Sequence, residues 1–233
     1  MDIHKPKAAR SWREFLIEIG TIICGILIAL GLEQSVELVH RSREVAEARQ
    51  ALGAEIAYNL AGVDFTASQM DCARRRLAEL SRWRASLSER RPLLFAQPVV
   101  PPLRLPPHTS VWKVASVGAV AHMPFESRVA YGEAYDRIEL VEAQAKIIND
   151  LWTELSKLSM ARTLDDAQRL DFDYDIQRLS RSYSVLGNNL NLVRRDARGL
   201  GITKGATIDY QDLLRPTQAS KVAFCMPALA ATS

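Results

Sequence analysis

The sequence predicts an all-α protein with one N-terminal transmembrane helix, and three observations support this prediction. An apolar segment of 18 residues lies near the N-terminus, and apolar residues then recur at helical spacing through most of the chain. No stretch alternates convincingly between apolar and polar residues, as a half-buried strand would. We therefore expect a transmembrane helix that continues into a long helix, followed by a helical bundle or long hairpin with a proline-rich connector.

The transmembrane helix is predicted over residues 15–32, FLIEIGTIICGILIALGL, which contain a single charged side chain. At 1.5 Å per residue this segment is about 27 Å long, close to the thickness of the hydrocarbon core. Basic residues and Trp12 precede it, whereas Glu33 and Glu37 follow it before the next arginine. The positive-inside rule then predicts a cytoplasmic N-terminus and a C-terminal domain on the opposite side. A cleaved signal peptide and a buried or interfacial helix are the alternatives.

Four residues of this segment share one helical face and form a candidate packing surface. Thr21, Gly25 and Ala29 recur every four residues, and small side chains at that spacing let membrane helices approach closely. Glu18 lies on nearly the same stripe, where its carboxyl group is costly to expose to lipid. It should reach for the interface or face a partner. Besides the lipid bilayer, we therefore expect a second copy of the chain or another membrane protein as partner.

Prolines and glycines divide the rest of the chain. Residues 33–91 keep helical spacing with a break expected near Gly62, and the pattern does not distinguish one helix from a hairpin. The predicted divisions are a cytoplasmic N-terminus at 1–14, the transmembrane helix at 15–32, a long helix or helical hairpin at 33–91, a proline-rich connector at 92–108, a helical bundle region at 109–201 and an irregular tail at 202–233.

The connector contains six prolines, which exclude regular helix. Its apolar residues are too numerous for a free linker, so we expect it to lie along the surface of the helices. Beyond it, Thr109 or Ser110 is expected to cap a short helix over 111–120. A long helix is predicted from Phe125 to about Met160. Its heptad seam consists of Ala134, Ile138, Val141, Ala145, Ile148, Trp152 and Leu155.

The last predicted helix begins with Thr163 as its cap and ends at Gly199 and Gly201. Asp165 and Asp166 suit the positive end of its dipole. Its apolar stripe is predicted to contain Leu164, Ala167, Leu170, Tyr174, Leu179, Tyr183, Leu186, Leu190 and Val193.

The chain contains three cysteines. Cys24 lies within the predicted span and cannot pair with the others across a membrane. Cys72 and Cys225 are a candidate disulfide, which an oxidising compartment would permit. Their spacing alone does not establish the bond, because it carries no information on the distance between their Cα atoms.

Composition argues against nucleic acid as a partner. The net charge is only +3, and the arginines at 74–76 and further along interleave with leucines at helical spacing. We therefore interpret these arginines as the solvated face of an amphipathic helix rather than a basic binding patch.

No motif predicts an enzyme, a cofactor or a metal site. The histidines are isolated, and no cysteine or histidine pair has metal-ligand spacing. Ser110 and Lys113 match the S-x-x-K pattern of penicillin-recognising enzymes, but the companion S-D-N and K-T-G motifs are missing. Residues 199–205 lack the order of a phosphate loop, and residues 171–182 lack the glycine and glutamate of a calcium loop.

Two blocks resemble a group of uncharacterised bacterial membrane proteins. Residues 18–30 match their pattern EIxxIxxGILIAL, which leads directly into a long charged helix. Residues 110–136, with Trp112 and the sequence His122-Met123-Pro124, are similar to a second block of these proteins. The resemblance implies a bacterial membrane-anchored protein. Together with the single predicted span and the positive-inside rule, it leads us to expect a single-pass protein of the bacterial inner membrane with a periplasmic domain. It implies no activity.

Three functions are compatible with these features. The preferred hypothesis is a membrane-anchored interaction or scaffold protein that oligomerises through the face at 18–29. The alternative is a periplasmic ligand-sensing bundle that signals through a partner, since the expected cytoplasmic segment is too short for an output domain. A cell-envelope enzyme ranks last.

Overall fold

A computed structural model describes residues 11–88, 93–161, 163–206 and 223–230. About 78% of the chain is helical, which confirms the all-α fold class. Within the described residues there is no strand, only an isolated antiparallel bridge between Phe95 and Leu229. The chain divides into two units, Met1–Ala48 and Arg49–Ser233.

The helices of the described ranges follow the predicted order. The break in the first helical region falls at Gln69 rather than near Gly62, and the backbone of Gln69 stays in the right-handed helical region. Gly62 remains helical because its neighbours Leu60 and Val63 are buried, and their packing outweighs the weak helix propensity of glycine. The elements are α1 (Trp12–Ser68), α2 (Met70–Ser86), α3 (Ser110–Ala115), a 3-10 turn (Ala119–His122), α4 (Phe125–Ser159) and α5 (Asp166–Gly199).

In the first unit, the apolar segment of α1 has no protein packed around it. Every large apolar side chain between Phe15 and Leu32 is at least 38% exposed. A helix that is apolar around most of its circumference and uncovered by protein is typical of an apolar environment. Among the described residues, this is the one helix long and apolar enough to cross a membrane.

In the second unit, α4 and α5 pack against each other and form much of the core. The predicted seam of α4 lies on the inner side, with Ile138, Ile148 and Leu155 each at most 3% exposed. Trp152 is also fully buried, and its indole N–H donates a hydrogen bond of 2.8 Å to the hydroxyl of Tyr183 on α5. The heptad seam of α4 therefore packs into the core of this same chain.

The predicted stripe of α5 is correct at Leu164, just before the helix, and from Leu179 onward. Ala167, Leu170 and Tyr174 are exposed, whereas Phe172 is fully buried. The ring of Phe172 lies 5.3 Å from that of Trp83 on α2. This aromatic pair fixes which side of the first turns of α5 faces inward, and a heptad pattern does not include that contact.

Two predicted helix starts are wrong in detail. Asp165, not Thr163, caps α5, and Gln168 completes a capping box with it. At α3, neither Thr109 nor Ser110 bonds the helix N-terminus through its side chain as a cap; the carboxylate of Glu55 accepts from the freed N–H groups instead. The short helix also ends early, at Ala115, because Gly118 leaves the helical region before the 3-10 turn.

The end of α5 matches its prediction. Gly201 has a φ of +80°, a conformation that favours glycine. The N–H groups of Ile202 and Gly201 donate to the carbonyls of Ala197 and Arg198, which makes a Schellman motif. The chain then turns onto α1, where the N–H of Ala206 donates to the carbonyl of Ala57 at 2.8 Å.

We predict that Gly205→Ala destabilises the domain by about 1–3 kcal/mol. A Cβ at this position would lie 2.8 Å from the backbone nitrogen of Ala61, so the chain would have to shift away from α1. Gly132→Ala is the matched control, because a Cβ there meets nothing within 4 Å. It should raise the stability by up to about 1 kcal/mol through helix propensity. Urea unfolding followed by circular dichroism measures both, and equal effects of the two variants would contradict the prediction.

Candidate functional site

Residues 102–108, which we call the strap, are held on the helices by two buried amide side chains. Asn59 of α1 donates to the carbonyl of His108 at 2.7 Å and accepts from its N–H at 2.8 Å. Gln69 makes the same pair of bonds with Leu103, at 3.0 and 3.2 Å. Each amide thus replaces the backbone partner that a proline-rich segment lacks. The connector lies along the helices, as expected from its apolar composition.

Two side-chain contacts add to this attachment. The ring of Tyr58 stacks on His108 with the ring centroids 3.9 Å apart. Arg104 forms an ion pair with Glu142 of α4. The strap is therefore attached to the helices at three points. Its C-terminal end, at His108, is bonded to Asn59 of α1, and Leu103 near its N-terminal end is bonded to Gln69. Arg104 pairs with Glu142 of α4.

A cavity of about 60 Å³ lies beneath the strap, between α1, α4 and α5. Its walls are mainly apolar, and the ion pair of Arg104 with Glu142 lies at its edge. The apolar part of the lining includes Val63, Leu105, Ile138, Val141, Ala145 and Leu186.

A second polar arrangement surrounds the buried carboxylate of Glu55. One oxygen accepts from the N–H of Val111 at 2.9 Å and from the Ser110 hydroxyl at 3.3 Å. The other accepts from the N–H of Trp112 at 3.1 Å and from the Tyr135 hydroxyl at 2.7 Å. Burial, together with Glu55, raises the pKa of Tyr135. These bonds anchor α3 to α1, so the serine of the S-x-x-K pattern lies beside a carboxylate, while Lys113 is exposed.

The described C-terminal segment, residues 223–230, is joined to α2 by a disulfide. Cys72 and Cys225 are bonded, with their Cα atoms 4.8 Å apart. The pairing that the sequence left open is therefore present in the structure. Phe224 is buried beside this bond, and its ring meets the edge of Trp152 at 5.6 Å.

Arg76 is a buried member of the arginine cluster at 74–76. Its side chain is 2% exposed, and its guanidinium donates to the carbonyls of Phe224 at 3.1 Å and Met226 at 2.6 Å. Burial lowers its pKa, although nearby Glu79 opposes that shift. The prediction of a wholly solvated arginine face is thus wrong at Arg76, because carbonyls from the far end of the chain replace water around it.

The predicted transmembrane face remains uncovered. Glu18, Thr21, Gly25 and Ala29 are all exposed, and a Cβ on Gly25 would meet nothing within 4 Å. The Thr21 hydroxyl donates to the carbonyl of Ile17, one turn earlier in the same helix. Among the described residues, this face is therefore left exposed.

The described residues include no group of three or more potential metal ligands. Two aspartates of the rejected calcium loop instead pair with arginines. Asp173 accepts from Arg84 at 2.7 Å, and Asp175 lies 3.4 Å from Arg178.

Sequence patterns missed Glu55, Asn59, Gln69 and Arg76, although a signal was present. Glu55 and Asn59 lie within the run of apolar positions on α1 that includes Leu52, Ile56 and Leu60. A polar residue inside an apolar stripe is buried at a cost unless a partner satisfies it. Such residues can be recognised as anchors, but their partners cannot be identified without the fold.

Comparisons with known proteins add no further information. No family model, curated protein or solved structure matches this chain. Function must therefore be argued from the apolar helix, the strap with its cavity, and the disulfide.

We predict that the domain loses stability above pH 10 partly through Tyr183. Burial raises the pKa of this tyrosine in the folded state. The unfolded chain then releases the proton first, so this contribution is present below pH ~10 and is lost above it, by about 1.4 kcal/mol per pH unit. Tyr183→Phe should reduce the alkaline slope of the unfolding free energy by that amount. Tyr174→Phe, at an exposed position on the same helix, should leave it unchanged.

Proposed function

We propose that this chain is a single-pass protein of a bacterial inner membrane whose helical domain acts as an interaction module in the periplasm. The exposed apolar helix carries the proposal. Residues 15–32 form a largely apolar surface with Glu18 as the one charged side chain, and none of their large apolar side chains is buried by protein, so lipid is the surrounding that fits them. A self-associating scaffold follows as the preferred role, since the same helix carries the stripe of small residues.

The disulfide supports the periplasmic location of the domain. Disulfides persist in oxidising compartments and are rare in a reducing cytoplasm. Cys72 and Cys225 belong to the second unit, downstream of the span. The basic residues before the span favour the same orientation by an independent rule.

Reporter fusions test this orientation. We expect alkaline phosphatase fused after Ser233 to be active, because its own disulfides form only outside the cytoplasm. The same enzyme fused after Arg13, upstream of the span, is the control and should be inactive. In parallel, Cys72 and Cys225 should resist maleimide until a reductant is added. An inactive C-terminal fusion with freely alkylated cysteines would overturn the proposed topology.

A second experiment tests the scaffold role. We expect crosslinking in native membranes to trap dimers, and Gly25→Leu to reduce their yield at least five-fold by separating the helices. Gly31→Leu is the matched control, because it makes the same change about 120° around the helix from Gly25, outside the stripe of small residues. Dimer yields that fall equally with both variants, or with neither, would argue against this face.

The cavity under the strap favours ligand sensing as a second candidate. Its walls combine apolar side chains with one ion pair at the edge, which is the general composition of small-molecule sites. A ligand there would contact α1, α4 and the strap together. Its binding would therefore stabilise the attachment of the strap to the helices.

A further inference from the structure

We propose that the cavity beneath the strap binds the hydrocarbon chain of a neutral single-chain acyl ester, with the ester carbonyl at Arg104. This inference deepens the ligand-sensing candidate and rests on it. It does not depend on the orientation of the protein in the membrane or on self-association.

Small side chains leave this space between the helices. Gly62 on α1 and Ala145 on α4 both line the cavity and place little volume in it. The strap closes the outer side, where the Cβ of Leu105 lies about 4.0 Å from the position a Cβ on Gly62 would take. The small size of Gly62 and Ala145 thus leaves the space between α1 and α4 unfilled.

The walls favour hydrocarbon over water. Four of the polar side chains that line the cavity are already hydrogen-bonded to protein: Asn59 and Gln69 to the strap, Thr66 to the carbonyl of Gly62, and Tyr183 to Trp152. A buried water needs two to four polar partners. Val63, Ile138, Val141 and Leu186, which also line the cavity, provide none.

The size of the cavity sets the length of chain it encloses. A water-sized sphere needs about 10–15 Å³ of such volume. A cavity of about 60 Å³ therefore has room for about four to six water-sized groups. A short alkyl segment fits this volume better than a larger fused-ring molecule does, and the head of an octanoyl chain would then lie outside it, beside Arg104.

The edge determines the head group. The guanidinium of Arg104 is already compensated by its ion pair with Glu142, so the negative charge of a bound carboxylate would find no free positive charge there. The Nε of Arg104 is nevertheless buried and has no acceptor among the described residues. A donor without an acceptor next to a compensated charge fits an uncharged oxygen, which an ester carbonyl supplies.

Photolabelling of the full-length protein in native membrane vesicles tests the site. The probe is methyl octanoate with a diazirine at its chain end. We expect covalent labels on peptides that contain Val63, Val141 or Ala145, and unlabelled methyl octanoate should compete at least ten-fold better than octanoate. Labels restricted to residues 15–32 would show partition into lipid only and would overturn the site. Equal competition by octanoate would overturn the neutral head group.

Variants test the geometry of the cavity and the charge at its edge. Ala145→Leu should fill the cavity, reduce labelling at least five-fold and leave the melting temperature unchanged or higher. Ala143→Leu, an exposed position on the same helix, should leave labelling unchanged. Glu142→Gln should strengthen competition by octanoate several-fold without affecting the ester. Labelling that persists in Ala145→Leu would contradict the proposal, and the competition on the unmodified chain decides it if that variant does not fold.

These outcomes are separable from the periplasmic interaction role. A failed phosphatase fusion with successful labelling would reject the topology and keep the site. An active phosphatase fusion without labels on the cavity peptides would keep the topology and reject the site.

Discussion

Backbone hydrogen bonding of the non-helical segments is the constraint on which the second unit depends. Proline-rich and irregular chain cannot satisfy its own N–H and C=O groups, so buried partners must come from elsewhere. Five side chains from α1, α2 and the Gln69 position between them supply these hydrogen-bond partners. Glu55 binds the start of α3, Asn59 and Gln69 bind the strap, and Arg76 and Glu79 bind the C-terminal segment. These polar groups decide where the strap, the start of α3 and the described C-terminal segment lie, while apolar packing holds α4 against α5.

The sequence predicts the parts of the fold that rest on local rules. The bounds of α4 and the glycine-based end of α5 follow from spacing and backbone preference, and the apolar helix follows from hydropathy. Features that depend on remote partners are not predictable in this way. Arg76 is buried because its carbonyl partners lie at Phe224 and Met226, 148 and 150 residues further along the chain. Likewise, Phe172 displaces Leu170 from the core because Trp83 is available on another helix.

The candidate sites differ in how they could be found. The stripe from Glu18 to Ala29 is visible in the sequence but is exposed and uncovered by the described part of the chain. The strap cavity is the opposite case, since it arises where α1, α4 and α5 leave room and no motif marks it. Its edge could be recognised only after Arg104 and Glu142 were placed together. A chain without catalytic motifs can therefore still contain a candidate binding site, in the space that its helices leave unfilled.

The bond between Cys72 and Cys225 closes a covalent ring across a separation of 153 residues. That ring contains the strap, α3, α4 and α5, while the apolar helix lies outside it. A protease that cuts the backbone once within the ring leaves both pieces joined to the segment before Cys72. One cut inside the ring therefore does not release the domain from its apolar helix. A single cut releases it only if the disulfide is also reduced, or if the cut falls before Cys72.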